Sequence, residues 1–133
     1  VDPSRTAAIG YCFGGMCVLE LARSGVDLRA AVSFHGLLRT DRPAAPGAIT
    51  GQVAAWCGAR DPYVPAADVE AFRAEMAEAG AAAQVTVFNA AAHGFTDPDA
   101  TAMGRAGVAY DAIADRVSWA GTVALLDAVL GAD

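Results

Sequence analysis

The chain has 133 residues, a formal net charge of −6, nine arginines and no lysine. A surface of that sign repels phosphate backbones, which argues against nucleic acid as a partner. The hydrophobic share of 55% owes much to alanine, and the longest uncharged stretch, 79–96, is broken by Gly80, Gln84, Asn89, His93 and Gly94, too polar a run for a membrane span.

Residues 1–133 suit one domain that buries its core without disulfides or metals. Cys12, Cys17 and Cys57, with only two histidines, form neither a C-x-x-C pair nor a zinc pattern, and a reducing cytoplasm is the expected home. The chain opens on Val1 rather than methionine, which leaves its true N-terminus and any leader open.

In chain order, 6–10 is a short apolar run stopped by a glycine turn, and 14–23 shows helical spacing through Met16, Val18, Leu19 and Ala22. Residues 30–34 and 53–57 are nearly all apolar, as strands covered on both faces of a parallel sheet are. Between them lies a Pro- and Gly-rich loop. Asp61-Pro-Tyr-Val-Pro65 is a turn before a helix over 66–79, with Val69, Phe72, Met76 and Ala79 on one stripe and Gly80 closing it. A strand over 84–88 and an irregular stretch precede a terminal helix over 110–130, with Ile113, Val117, Leu125, Leu126 and Val129 as its expected buried face. This alternation predicts an α/β fold, a parallel sheet with right-handed crossovers and flanking helices.

The chemistry concentrates at Gly10-Tyr11-Cys12-Phe13-Gly14-Gly15, where Gly-x-Cys-x-Gly matches the Gly-x-Ser-x-Gly elbow with sulfur for oxygen. A strand turning at once into a helix strains the central residue and crowds the positions two before and two after it, so both want glycine. The turn seats the sulfur at a helix N-terminus, which favours negative charge, and aims the Phe13 backbone N–H at a developing oxyanion. Alone, the motif fits a small buried cysteine in a glycine turn equally well. Asp61 and His93 also follow predicted strands, however, so all three groups fall at the C-terminal edge where open parallel sheets bind ligands. Their order, nucleophile then acid then histidine, is the order of the α/β-hydrolases.

The nucleophile turn, together with Ala31-Val-Ser-Phe-His-Gly36, Gly58-Ala-Arg-Asp-Pro-Tyr-Val-Pro65, His93-Gly-Phe-Thr-Asp-Pro98 and the segment 110–119, resembles the dienelactone hydrolase family of α/β-hydrolases. The resemblance implies that Cys12, His93 and Asp61 form a Cys-His-Asp triad. It also implies that the chain is a C-terminal part of the family domain, with the N-terminal strands and the loop giving the second oxyanion N–H missing. Where family members carry a serine and an arginine after the histidine to hold a substrate carboxylate, this chain has Gly94, Phe95, Thr96 and Asp97. The hydrolase chemistry therefore carries over and the dienelactone specificity does not.

The expected activity is cleavage of a small-molecule ester or lactone through a thioester on Cys12, with no metal or organic cofactor required. The alternative is a catalytically silent binding or regulatory domain on the same fold. Tyr11, Phe13, His35 and Phe95 are the expected pocket walls. Cys17, Cys57, Trp56 and Trp119 read as packing residues, and Arg39, Arg42 and Arg105 as solvated surface charges.

Overall fold

A computed structural model describes residues 1–131. Four parallel strands, β1 (Ala7–Tyr11), β2 (Ala30–Phe34), β3 (Gln52–Gly58) and β4 (Ala82–Phe88), lie in the order β1-β2-β3-β4. Helices α1 (Phe13–Arg23), α2 (Ala66–Ala79) and α3 (Ala112–Leu130) flank them, with a short 3-10 helix at Ala100–Met103. This is the expected α/β-hydrolase-like sheet. β1 and β4 are its edges, and Ile9 of β1 remains 40% exposed.

The pleat divides the sheet residues between two layers. Val53, Ala55 and Cys57 of β3 pack with Leu19 of α1 and Val69, Phe72 and Met76 of α2. On the opposite face Val32, Phe34 and Ala54 meet Trp56 and Leu125 of α3. The long loop after β2 is fastened to the first layer by the buried Arg23 guanidinium. It donates to both Glu75 carboxylate oxygens at 2.8 Å, to Glu20 at 2.8 Å and to the Leu38 carbonyl at 2.8 Å, while Glu75 also accepts the Ala44 N–H at 3.0 Å. Four of the five guanidinium N–H groups are thus satisfied, and removing the Arg23 charge would strand the largely buried Glu75 carboxylate at a cost of about 3–5 kcal/mol.

The terminal helix departs from its expected face. Ile113 is 70% and Val117 48% exposed, Leu125, Leu126 and Val129 are half-buried, and the buried stripe is Ala114, Ser118 and Thr122. The cause is Trp56, which rises from β3 under this helix. Its indole Nε1–H donates to Thr122 Oγ1 at 3.0 Å, and a Cβ on Gly121 would stand 2.6 Å from its ring. Only small residues fit over the indole, so the bulky ones turn outward.

Candidate active site

β1 ends at Tyr11 and α1 begins at Phe13, leaving Cys12 alone to turn the chain. It does so at φ 52° and ψ −118°, a region that costs a residue with a Cβ about 1–3 kcal/mol. Its own N–H continues the sheet ladder to the Phe34 carbonyl at 2.9 Å, and its thiol is exposed. A Cβ on Gly10 would collide with the Gly14 carbonyl, whereas one on Gly14 would meet open space. The second tight glycine is Gly15, pressed on Ser33 and Gly36, so the crowding lies one residue later than the motif suggests. The Phe13 N–H, at the first helical position, has no partner within the helix by construction.

Asp61 follows β3 and His93 follows β4. The Asp61 side chain is 1% exposed; Oδ1 accepts the Tyr63 N–H at 2.8 Å and Oδ2 lies 2.9 Å from His93 Nδ1. A carboxylate accepts only, so Nδ1 carries the hydrogen and Nε2 is left as the acceptor. That nitrogen sits 3.2 Å from the Cys12 sulfur. The three residues singled out in the sequence are therefore joined, carboxylate to imidazole to thiol, across 81 residues of chain.

Two rings touch the His93 imidazole edge-on, Tyr63 with centroids 4.8 Å apart and His35 at 5.4 Å. His35 follows β2, has φ 41° and is 4% exposed, with Nε2 at 2.8 Å from Thr96 Oγ1. Its Nδ1 is buried with no partner among the described residues, so a proton there would go unpaired. Burial, and then the neighbouring His93, push this imidazole down to about 4.

A cavity of about 810 Å³ opens over the thiol, lined by Cys12, Tyr11, His35, Tyr63, His93 and Met103 among others, with Asp97, Arg105 and Asp115 as its charged lining groups. Its size and largely apolar walls are those of a small-molecule site. Tyr11 and His35 thus face it. Phe95 is fully buried, edge-on to His35 at 5.0 Å, and Phe13 is 71% exposed; neither lines the cavity. Met103 and Asp115 are walls that local sequence did not signal, because they come from a 3-10 helix and a helix joined to the site only by the fold, whereas Tyr63 lies two residues past Asp61 in the turn that carries it.

Cys57 is buried in the α2 layer, where burial pushes its thiol up to about 12, whereas Cys17, read as a packing residue, is exposed on α1. Arg39 pairs with Asp68 at 2.9 Å, and Arg105 reaches the Tyr63 hydroxyl at 3.3 Å. Among the described residues no group of three or more His, Cys, Asp and Glu side chains is placed to hold a metal ion. No helix among them is long and apolar enough to cross a membrane.

The chain is similar to known proteins along nearly its whole length. An uncharacterized protein of Caenorhabditis elegans is 35% identical over 129 residues, covering 95% of this chain and 81% of that one. The solved structure m3DLH is 44% identical with a TM-score of 0.91, covering 97% of this chain and 54% of its own. A dienelactone hydrolase-like promiscuous phosphotriesterase from metagenomic libraries is 42% identical with a TM-score of 0.88, with the same 97% and 54% coverage. The chain therefore spans about half the length of these two structures. The match to the dienelactone hydrolase family itself runs over residues 1–130. It overturns the expectation of a match to a C-terminal part alone: the family match takes in nearly every residue of this chain, from 1 to 130. With the Cys12–His93–Asp61 array in place and the family matched from the first residue to the last helix, the chain belongs to the dienelactone hydrolase family.

Proposed function

We propose that this protein hydrolyses carboxylic esters or lactones through a thioester on Cys12. The carrying observation is the continuous array Cys12 Sγ–His93 Nε2 (3.2 Å) and His93 Nδ1–Asp61 Oδ2 (2.9 Å) beneath an apolar cavity. In this reading the sulfur attacks the carbonyl carbon as its proton passes to His93 Nε2, and the Phe13 N–H receives the oxyanion. The tetrahedral species collapses, the C–O bond breaks, and His93 returns the proton to the leaving alkoxide. Water, deprotonated by His93, then attacks the thioester; the acid departs and the thiol is restored. Asp61 keeps the hydrogen on Nδ1 and stabilises the imidazolium at each transfer.

A second substrate class is favoured by the 42% identical relative, which is named as a promiscuous phosphotriesterase. A neutral phosphotriester suits the same sulfur and the same apolar cavity. Of the charged lining groups, Asp97 and Asp115 repel a substrate carboxylate such as a dienelactone's and Arg105 attracts one, so the acidic groups outnumber the basic one. Turnover of p-nitrophenyl acetate by the wild-type chain, lost in Cys12→Ala and in His93→Ala, is the expected result. Undiminished turnover in either variant would overturn the assignment of that residue, whereas no turnover by the wild type would support the silent-domain reading.

A further inference from the structure

The sheet order sets a mechanical problem at the active edge. Cys12 follows β1 and His93 follows β4, three strand spacings or about 14 Å apart. The segment beginning at His93 must therefore lean back across the ends of β3 and β2 to bring Nε2 to the sulfur. β3 supplies Asp61 and Tyr63 along that path. β2, the strand adjoining the nucleophile strand, supplies His35.

His35 touches this segment at three of four consecutive residues. Its ring meets His93 edge-on at 5.4 Å and Phe95 edge-on at 5.0 Å, and its Nε2 bonds Thr96 Oγ1 at 2.8 Å. The intervening residue, Gly94, turns the chain at φ 69°. The His35 backbone is itself tied down, its N–H donating to the Trp56 carbonyl at 2.8 Å. A buried group at a left-handed φ, anchored to the sheet and holding the segment that carries the base, is over-determined for a mere cavity wall.

We propose that His35 is a positioning residue: through its ring contacts with His93 and Phe95 and its bond to Thr96, it fixes the His93 imidazole in line between Cys12 and Asp61. Burial also keeps it uncharged near neutral pH, so it adds no repulsion to the imidazolium that His93 forms. This assignment rests on the reading of His93 as the base for Cys12, and the test separates the two.

The test compares wild type with His35→Ala, His35→Phe, His35→Gln, Thr96→Val and His93→Ala in two assays. One is hydrolysis of p-nitrophenyl acetate; the other is alkylation of Cys12 by iodoacetamide at pH 7, followed at its own peptide because Cys17 is also exposed. The positioning role predicts that His35→Ala lowers kcat on the order of 10–100-fold with KM little changed, and slows Cys12 alkylation in parallel. His35→Phe and Thr96→Val lose the same hydrogen bond, so each alone and both together should give one and the same smaller loss. His35→Gln, able to reach Thr96 but without a ring, should fall between them and His35→Ala. A raised KM with unchanged kcat and unchanged alkylation in the folded Phe, Gln and Val variants would overturn the inference and leave His35 a substrate wall. If His93→Ala alkylates as fast as wild type, the parent reading fails instead.

Discussion

Cys12 and His35 stand at neighbouring positions on the same sheet edge. Each comes one residue after a paired strand end, Tyr11 opposite Phe34, and each continues the ladder through its N–H. They are also the two residues other than glycine with positive φ among those described, at 52° and 41°. Yet the sulfur of one is exposed at the cavity while the imidazole of the other is 4% exposed and held by Thr96. The same backbone device thus serves opposite ends: strain after β1 lifts a reactive atom out, and strain after β2 folds a ring under the base that serves it.

Glycine substitution at the two positions separates these uses most sharply, because it relieves the strain at both. Cys12→Gly should abolish ester turnover, a loss of at least about 10³-fold in kcat, measurable with p-nitrophenyl acetate. Asp61→Asn, which no longer favours the hydrogen on Nδ1, should cost on the order of 10³-fold while leaving KM within a fewfold. His35→Gly should lower stability by about 3 kcal/mol in urea unfolding, since the lost packing outweighs the relieved strain.

A pH experiment tests the same burial. The folded-state value for His35, about 4, lies below the ordinary 6.5, so the unfolded chain takes up a proton that the folded chain refuses. Stability from this group is whole above about pH 6.5 and falls as pH drops toward 4, by roughly 3 kcal/mol in total. His35→Phe should therefore gain on wild type by up to that amount between pH 7 and pH 4; parallel stability curves would contradict the burial account. The smallest effect belongs to the nucleophile: Cys12→Gly should raise stability by about 1 kcal/mol even as activity disappears.

The nucleophile turn and the positions of Asp61 and His93 were legible in the sequence because glycines and prolines punctuate strand ends, and three chemically matched residues fell there in order. The sheet and its helices were legible for the same reason, from short apolar runs and helical stripes. Two features were not. The buried face of α3 was hidden because Trp56, 66 residues away from its partner Thr122, demands small residues at Gly121 and Thr122 and so reverses the ordinary hydrophobic stripe. The hold of His35 on His93 was hidden because it depends on β2 lying between β1 and β3, a fact of sheet order that no local motif encodes.

The central claim, that the Cys12 sulfur is the attacking atom, is tested most directly by trapping what forms on it. Acid quenching during turnover of p-nitrophenyl acetate, followed by peptide mass mapping, should find an acetyl group on Cys12, accumulating when the water step is slower than acylation. His93→Ala should accumulate none on the same timescale. Sustained turnover with the acetyl group on Cys17 or another residue, and Cys12 unmodified throughout a burst of product, would contradict the account.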